Sequence, residues 1–307
     1  MSLRFTSQQT LNTEVFARLP ERFRMKGKSS EWGNANRAGA KLECFFEGPA
    51  FDRQGNLYVV DVPFGRIFRI SPQGEFELVS EYDGWPYAIK IHKDGRIFIA
   101  DYRLGILLLS PQSGAVNPLL SRYLPRSLKG VNDMCFARNG DLYFTDYGQT
   151  DLHDPTGRVF RLCNDGVRLD CLSAIVPGPN GLTLNPDENL LYIAATRANA
   201  IWRMTILPDG NVTKVSVFAH LNGGVGPDGM TVDSIGNVVV AHAGRGIVWV
   251  FNKHGEILYR IESCVSHEVT NVAYGGDDMR TLFVTDADGA ILTARLPDPG
   301  KILFSHQ

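Results

Sequence analysis

The 307-residue sequence lacks the marks of several large protein classes. It has only five cysteines and no CxxC pair, which argues against a disulfide framework and against a thiolate zinc site. No apolar run approaches the roughly 18 residues that a membrane-spanning helix needs. The opening residues, MSLRFTSQQTLNTE, contain no apolar stretch of the kind found in signal peptides. We therefore expect a cytoplasmic protein with reduced thiols and no membrane association.

Charge and short motifs argue against further classes. The 31 Lys and Arg residues nearly balance the 33 Asp and Glu residues. The resulting formal net charge of −2 does not indicate a nucleic-acid-binding protein. The sequence contains no Gly-x-Ser-x-Gly motif, which argues against a serine hydrolase. The stretch GGVGPDG (223–229) resembles a phosphate-binding loop but lacks the following Lys-Ser/Thr. Any functional site must therefore come from residues that the fold brings together.

The sequence does contain a pattern repeated six times: a short apolar segment, a polar turn and a second apolar segment. The copies are EGPAFDRQGNLYVVD (47–61), YAIKIHKDGRIFIAD (87–101), NDMCFARNGDLYFTD (132–146), NGLTLNPDENLLYIAAT (180–196), DGMTVDSIGNVVVAHA (228–243) and TNVAYGGDDMRTLFVTD (270–286). When the last apolar residue of each first segment is aligned, successive copies lie 40, 45, 48, 48 and 42 residues apart. A period of about 40–50 residues with strand-like segments is typical of β-propeller blades.

A second hairpin follows the copies, which predicts four strands per blade. Examples are GRIFRISPQGEFELVSE in the first blade and GRVFRLCNDGVRLDCL in the third. The sixth blade has an uncertain last strand, and VFARL (15–19) resembles VFAHL (217–221), which closes the fifth blade. We therefore predict that residues 14–20 supply the outer strand of blade six and close the ring, with KILFSH (301–306) as a competing candidate.

The predicted fold is an all-β, six-bladed β-propeller that occupies residues 1–307 as one domain. Its blades start near residues 47, 87, 132, 180, 228 and 270. A β-sandwich is the alternative, but it does not explain six copies at a steady interval. In a propeller, the first strand of each blade begins, and the second strand ends, at the same mouth of the central channel.

One position of the repeat combines polar side chains that suit a metal ion. Four residues before the aligned apolar residue, the copies have Glu47, Tyr87, Asn132, Asn180, Asp228 and Thr270. The two carboxylates and two carboxamides would point toward the axis of a ring. Four oxygen ligands with two negative charges favour one hard divalent cation, Ca²⁺ before Mg²⁺, Mn²⁺ or Zn²⁺, and the lack of His and Cys argues against a dedicated zinc or copper site. The alternative is that these residues only cap turns where strands begin.

The segments that open the blades, EGPAF, VNDM, PNGL and GPDGM, resemble those of the gluconolactonase, senescence-marker-protein and luciferin-regenerating family of six-bladed propellers. Squid-type diisopropylfluorophosphatase and the staphylococcal drug-responsive lactonase are related to that family. The resemblance covers roughly residues 14–300. It implies one catalytic divalent cation in the channel, held by Glu47, Asn180 and Asp228, with Asn132 as a fourth ligand or a substrate contact. It also implies that Asp228 is the base or nucleophile that opens a lactone.

Two positions depart from the family pattern. Sugar-lactone members carry an Arg two residues before the Asn of the third blade, where this chain has Gly130, so an aldonolactone substrate is in doubt. Members with a second, structural calcium have an acid three residues after the ligand aspartate, where this chain has Thr231. We therefore expect a single cation, and an acidic or non-aldono lactone stays open beside a gluconolactone-type substrate.

A second row of residues is expected at the same mouth, where the second strand of each blade ends. It contains Asp61, Asp101, Asp146, Ala195, His242 and Asp286. Asp146, the following Tyr147 and His242 are candidate substrate contacts, and His242 could relay protons near neutral pH. Trp85 and Tyr87 could form an apolar wall. The alternatives are that the aspartates cap turns, that the histidine is a hydrogen-bonded packing residue, and that the two rings fill the channel.

The segment 21–46 leads into the first blade and is a candidate lid over this mouth. It holds six basic residues, Arg22, Arg24, Lys26, Lys28, Arg37 and Lys41. A basic lid would favour a lactone that bears a carboxylate, whereas an ordinary solvated loop is the alternative. The long connection YGQTDLHDPT (147–156) is expected at the same face, where it would shape the pocket.

Together these features predict a divalent-metal-dependent hydrolase that opens a small-molecule lactone. A phosphotriesterase or arylesterase at the same cation is the second enzyme hypothesis. A propeller that binds a ligand without catalysis, with calcium as a structural ion, is the hypothesis from a different class. The sequence does not indicate an oligomeric state.

Overall fold

The strands of this chain are arranged as antiparallel sheets around a central channel. The structure is a computed structural model that describes residues 8–307. It begins with two strands, β1 (Gln9–Asn12) and β2 (Glu14–Arg18), and the short helix α1 (Glu31–Asn36) precedes the first blade. The Ser30 side chain caps this helix by accepting a hydrogen bond from the Gly33 amide.

The first three blades follow in chain order. Blade one contains β3 (Phe46–Phe51), β4 (Leu57–Asp61), β5 (Arg66–Ile70) and β6 (Phe76–Glu81). Blade two contains β7 (Pro86–Ile91), β8 (Ile97–Asp101), β9 (Gly105–Ser110) and β10 (Ala115–Leu120), and a small hairpin of β11 (Arg122–Tyr123) and β12 (Arg126–Ser127) follows it. Blade three contains β13 (Val131–Phe136), β14 (Leu142–Asp146), β15 (Gly157–Leu162) and β16 (Leu169–Val176).

The other three blades complete the ring. Blade four contains β17 (Pro179–Leu184), β18 (Leu190–Ala195), β19 (Ala200–Ile206) and β20 (Val212–His220). Blade five contains β21 (Gly226–Val232), β22 (Val238–Ala243), β23 (Ile247–Phe251) and β24 (Ile257–Glu262). Blade six contains β25 (Val269–Gly275), β26 (Thr281–Asp286) and β27 (Ala290–Arg295), with β2 as its outer strand. The predicted six-bladed propeller with four-stranded blades is confirmed.

The ring is closed by the N-terminal strand, as the sequence predicts. Strand β2 pairs antiparallel with β27, and Val15 lies opposite Leu292. The competing segment 301–306 forms no strand, and its residues Phe304–His306 instead make a 3₁₀ helix. The sequence did not predict strand β1, which pairs in parallel with β24 and extends blade five to five strands.

The hydrophobic core lies between neighbouring blades. Strand β4, with the sequence LYVVD, is buried along its whole length. Both faces of such a strand are covered by adjacent sheets, and this explains why the second strand of each repeat is an apolar run rather than an alternating one. The inner strands of successive blades contact one another, and β25 contacts β3, so the channel wall is continuous.

The two ends of the channel differ. At the end away from the blade starts, the Phe304 ring stacks on Phe136 with 5.0 Å between centroids and meets His92 edge-on at 4.9 Å. The C-terminal segment thereby covers a cavity of about 120 Å³ inside the channel. The opposite mouth contains the predicted polar residues. Within residues 8–307, no helix has the length and apolarity needed to span a membrane.

Candidate functional site

All six inner strands have a register shift close to their starts. The shifts fall between Glu47/Ala50, Pro86/Ala88, Val131/Met134, Pro179/Leu182, Pro227/Met230 and Val269/Asn271. A β-bulge interrupts the alternation of a strand and turns a side chain that would otherwise face a neighbouring sheet. Here the bulges direct Glu47, Asn132, Asn180 and Asp228 into one chamber of about 270 Å³ at the mouth of the channel.

Glycines beside the bulged residues allow the inner strands to approach closely. A Cβ atom on Gly181 would lie 2.4 Å from the backbone oxygen of Asp228, and one on Gly229 would lie 1.8 Å from Cγ of Asn271. On Gly48 it would lie 2.3 Å from Cα of Ala88. The Glu-Gly, Asn-Gly and Asp-Gly pairs of the repeat are thus a packing requirement of the ring.

Threonine hydroxyls tie two of the bulges to the adjacent blade. Thr145 Oγ1 lies 2.7 Å from the backbone oxygen of Asn180, and Thr196 Oγ1 lies 2.6 Å from that of Pro227. Both hydroxyls donate to carbonyls at or beside residues that line the chamber. The positions of Asn180 and Asp228 are therefore set by blades three and four as well as by their own strands.

Two carboxylates lie at the inner end of the chamber without a cationic partner. Glu47 is buried, and its Oε2 accepts hydrogen bonds from the Gly48 amide at 2.8 Å and from Asn271 Nδ2 at 2.9 Å. Asp228 keeps partial exposure toward the chamber. Among residues 8–307, neither carboxylate forms an ion pair with Lys, Arg or His.

The protein environment disfavours two negative charges at this place. Burial raises the pKa of Glu47 well above its usual range, and the charge of Asp228 raises it further. Burial also raises the pKa of Asp228 to about 8, against a hydrogen bond from Asn180 that lowers it. The negative charge of Asp133, held by Lys90 Nζ at 3.2 Å, adds to the rise at Asp228. An added positive charge would relieve this repulsion.

The donor set fits a hard divalent cation. It consists of two carboxylates and two carboxamides, and the described part of the chain has no group of three or more His, Cys, Asp or Glu arranged for a metal. Oxygen ligands of mixed charge are those that Ca²⁺ accepts in flexible geometry. Because both Glu47 hydrogen bonds fall on Oε2, its Oε1 has no hydrogen bond within residues 8–307.

Aromatic residues form one wall of the chamber. Tyr87 and Tyr147 line it, as the sequence predicts, together with Tyr102. The hydroxyl of Tyr87 accepts a hydrogen bond from Trp32 Nε1 at 2.7 Å, which joins helix α1 to blade two. Predicted site residue Trp85 lies one layer farther out, where its ring packs against Tyr102 at 6.0 Å between centroids. Its position supports the wall rather than the chamber surface.

The structure does not bring Asp146 into the chamber. Asp146 is fully buried, and its Oδ1 accepts hydrogen bonds from the backbone amides of Lys129 and Gly130, each at 2.7 Å. Its Oδ2 pairs with the guanidinium of Arg158. Asp61 pairs with Arg66 in the same way. These aspartates hold the ends of their strands, as the turn-capping alternative proposes.

His242 also points away from the chamber. Its Nδ1 accepts a hydrogen bond from Trp249 Nε1 at 3.1 Å, so the ring proton lies on Nε2, which donates to the Gly223 backbone oxygen at 2.9 Å. Burial lowers the pKa of this imidazole. In this arrangement both ring nitrogens are occupied, which is the packing role considered as the alternative.

Several chamber residues were not among the predicted site residues. They are Trp32, Asn36, Arg37, Phe45, Tyr102, Gln149, Thr196, Arg197 and Val225 at the chamber surface, and Asn271 beside Glu47. Two of them join separate segments of the chain, since Gln149 Nε2 donates a hydrogen bond to Asn36 Oδ1 at 3.0 Å. The long connection 147–156 thus meets helix α1 over the mouth.

The segment 21–46 contributes one of its basic residues to the chamber. Arg37 lines the chamber, and its guanidinium contacts Glu268 at 3.1 Å. Arg24 instead pairs with Glu43 at 3.1 Å and Lys26 with Glu21 at 2.7 Å. The segment therefore places one guanidinium, rather than a broad basic surface, over the site.

Comparison with known proteins identifies the family of this chain. Residues 45–288 match the family described as "SMP-30/Gluconolactonase/LRE-like region". The chain is 32% identical over 235 residues to the lactonase drp35 of Staphylococcus aureus, covering 73% of this chain and 70% of that protein. A gluconolactonase structure from Xanthomonas campestris superposes with a TM-score of 0.74 at 25% identity, covering 83% of this chain and 86% of that one.

A further structure shows how far the fold likeness extends. Regucalcin of Agrobacterium tumefaciens, described as a calcium-binding protein, superposes with a TM-score of 0.76 at 20% identity, covering 97% of this chain and 99% of that one. The resemblance seen in the blade-opening segments is confirmed by the family match. The chain belongs to the SMP-30/gluconolactonase/LRE-like family.

Proposed function

We propose that this protein hydrolyses a lactone ring at one divalent-cation site, with Ca²⁺ as the favoured ion. The observation that carries the proposal is the pair Glu47 and Asp228, two carboxylates that meet two carboxamides in a small chamber and have no basic partner among residues 8–307. The relatives described as a lactonase and a gluconolactonase support lactone opening as the reaction. Glu47, Asn132, Asn180 and Asp228 would hold the cation.

The size of the chamber supports a small substrate. Its volume of about 270 Å³ lies below the roughly 300–1,000 Å³ of pockets that take drug-sized ligands. A monocyclic lactone fits that limit. Helix α1 and Gln149 cover part of the mouth, and we propose that the segment 21–46 acts as a lid that limits access of bulk water to the bound lactone.

The residues of the chamber have distinct roles in the proposed reaction. A bound divalent cation supplies Lewis-acid polarisation of the lactone carbonyl. Asp228, which remains accessible from the chamber, accepts a proton from the water whose oxygen bonds to the carbonyl carbon. The ring carbon–oxygen bond then breaks, and the departing ring oxygen takes up that proton as a hydroxyl. Glu47 stays fixed by its two hydrogen bonds and does not exchange protons.

The proposal is tested by the variant Asp228→Asn together with a metal titration. The protein is stripped with a chelator, reloaded with Ca²⁺, Mg²⁺, Mn²⁺ or Zn²⁺, and assayed on a panel of lactones and on an organophosphate triester. We expect lactone turnover that returns with the metal, and a variant that keeps its fold and binds Ca²⁺ but loses turnover by about 10³-fold or more. Preference for the triester would favour the phosphotriesterase hypothesis.

Asp101→Asn is the matched control. Asp101 is a fully buried aspartate near the same mouth, and its carboxylate accepts hydrogen bonds from the Arg103 and Leu104 amides and from the Tyr82 hydroxyl. An asparagine retains an oxygen for the amides, so this variant should lose some stability and keep its turnover. Equal loss of turnover in both variants, or full activity of Asp228→Asn, would refute the assigned role. No turnover of any lactone at any metal loading would favour a non-catalytic binding protein.

A further inference from the structure

The chamber contains a second functional region at its outer rim, opposite in charge to the carboxylates within it. Arg37 reaches the chamber from the segment 21–46, and Arg197 reaches it from the end of β18. Arg37 is paired with Glu268 at 3.1 Å. Arg197 forms no ion pair with any of residues 8–307.

The position of Arg197 is built by its neighbours. Its Cγ packs over Gly178, where an added Cβ would lie 2.8 Å away, and the Tyr147 hydroxyl lies beside the same glycine. Burial raises the pKa of the Tyr147 phenol, and the nearby positive charge of Arg197 opposes this rise. The charge of Arg197 acts on the nearby carboxylate of Asp151. That carboxylate already accepts hydrogen bonds from the backbone amides of His153 and Asp154. The guanidinium therefore remains available to a ligand.

The balance of charge favours an anionic ligand. With a divalent cation opposite Glu47 and Asp228, and with Arg37 opposite Glu268, one positive charge in the chamber is left without a counterion, that of Arg197. A guanidinium in a partly enclosed pocket binds a carboxylate through two parallel hydrogen bonds. This pairing needs a single carboxylate on the substrate.

The aromatic wall argues against a densely hydroxylated ring. A Cβ on Gly130 would lie 2.5 Å from the Tyr102 ring, so this ring occupies the space into which a longer side chain at residue 130 would extend. Trp32 Nε1 is already engaged by the Tyr87 hydroxyl. The wall thus offers ring faces to the substrate, and the Trp32 Nε1 donor is not free for a polyol.

We infer that the substrate class is a small lactone that carries a carboxylate, and that Arg197 is the residue that selects it. The inference rests on the proposed lactone hydrolysis. The ester carbonyl would occupy the inner end of the chamber near Asp228, and the carboxylate would lie at the rim against Arg197. Arg37 is already paired with Glu268, so its positive charge acts on the substrate at a distance and makes no second direct contact.

The test compares two lactones that differ only in charge. A γ-butyrolactone with a carboxylate on its γ-carbon is assayed beside the corresponding carboxamide, with wild type, Arg197→Gln and Arg197→Lys. We expect kcat/KM for the carboxylate to fall by about 10- to 100-fold in Arg197→Gln and by less in Arg197→Lys, while the carboxamide changes by about 2-fold at most. Because Arg197 is exposed, neither variant should alter the melting temperature measurably.

Arg103→Gln is the matched control. Arg103 stands at the equivalent place of blade two, two residues after the end of β8, but it pairs with Asp83 at 2.7 Å and lies over the Trp85 ring. Its removal should leave the preference for the carboxylate unchanged. A comparable loss of preference in Arg103→Gln would show that general surface charge, and not Arg197, attracts the substrate, and would overturn the inference.

The same experiment separates this inference from the proposed function. If wild type opens both lactones equally well and Arg197→Gln changes neither, lactone hydrolysis stands and the inference fails. If neither these two lactones nor any lactone of the wider panel is opened at any metal loading, the proposed function fails. Calorimetric binding of the carboxylate lactone to calcium-loaded Asp228→Asn, with and without Arg197→Gln, then decides the inference by itself. Equal affinity of the two proteins would overturn it.

Discussion

The variant Gly181→Ala tests whether close packing of the inner strands sets the cation site. The added Cβ would lie 2.4 Å from the Asp228 backbone oxygen, 2.8 Å from Gly229 Cα and 2.9 Å from Met230 N. All three are backbone atoms, so no side chain can rotate away. To reach an ordinary van der Waals contact of 3.4 Å, the inner strands of blades four and five must separate by about 1 Å.

The displacement has consequences for both stability and activity. Overpacking of this kind costs about 1–3 kcal/mol of the free energy of unfolding. A misplacement of about 1 Å at reacting groups lowers turnover by roughly 10²-fold. We therefore expect Gly181→Ala to bind Ca²⁺ more weakly by calorimetry, to unfold at lower denaturant concentration, and to lose most of its lactone turnover.

Gly95→Ala is the control for this prediction. Like Gly181, Gly95 lies outside the chamber. Its φ is +90°, and an added Cβ there would meet no heavy atom within 4 Å. It should cost about 1–2 kcal/mol through backbone strain alone and leave Ca²⁺ affinity and turnover unchanged. If Gly181→Ala binds Ca²⁺ and turns over substrate like wild type, the argument that strand spacing positions the ligands is refuted.

Three further predictions concern the groups around the chamber. Thr145→Val removes the hydroxyl that holds the Asn180 backbone oxygen, and should cost about 1–3 kcal/mol of unfolding free energy and weaken Ca²⁺ binding by calorimetry. Trp32→Phe removes the link between helix α1 and the Tyr87 hydroxyl, and should raise KM by about 2- to 10-fold with kcat little changed. His242→Gln should lose less stability than wild type when denaturation is followed from pH 7.5 to 5. Burial lowers the pKa of His242 in the folded state, so below about 6.5 the unfolded chain takes up the additional proton and wild-type stability falls.

For each of these three variants, one result would refute the prediction. Unchanged Ca²⁺ affinity and stability in Thr145→Val would mean that Asn180 is positioned by its own strand. Unchanged KM in Trp32→Phe would argue against a lid. Parallel pH profiles for His242→Gln and wild type would show that burial does not keep the imidazole neutral.

The sequence predicts the propeller and the ring of polar residues at its mouth because both follow from symmetry. Six copies at a regular interval determine the repeat, and a shared position in the repeat becomes a shared position around the axis. The chamber accordingly contains Glu47, Asn132, Asn180 and Asp228. Blade six departs from this rule, because Asn271, and not Thr270 of the aligned position, reaches Glu47 at 2.9 Å. The glycine at 229, which leaves room for Asn271, is the signal that was present in the sequence.

The aspartate row shows a limit of the same reasoning. Symmetry predicts that Asp61 and Asp146 share the mouth, but not that their carboxylates turn back into the fold. The pairing of each with an arginine in the next strand, Arg66 and Arg158, accounts for that direction. The Gly-Arg that opens both of those strands, in GRIF and GRVF, was a readable signal of the ion pair. Arg37 comes from the segment before the first blade and has no periodic signal, whereas Arg197 follows the end of a second strand, a place that the repeat directs to the mouth.

The most direct test of the cation site is a calcium titration of the chelated protein followed by calorimetry and lactone hydrolysis together. We expect one equivalent of Ca²⁺ to bind per chain, and turnover to rise from none in the stripped protein in proportion to Ca²⁺ occupancy. The double variant Glu47→Gln with Asp228→Asn should abolish both signals while the fold remains. Full lactone hydrolysis by stripped protein, or hydrolysis that does not follow Ca²⁺ occupancy in the wild type, would show that the reaction does not depend on a cation at this site.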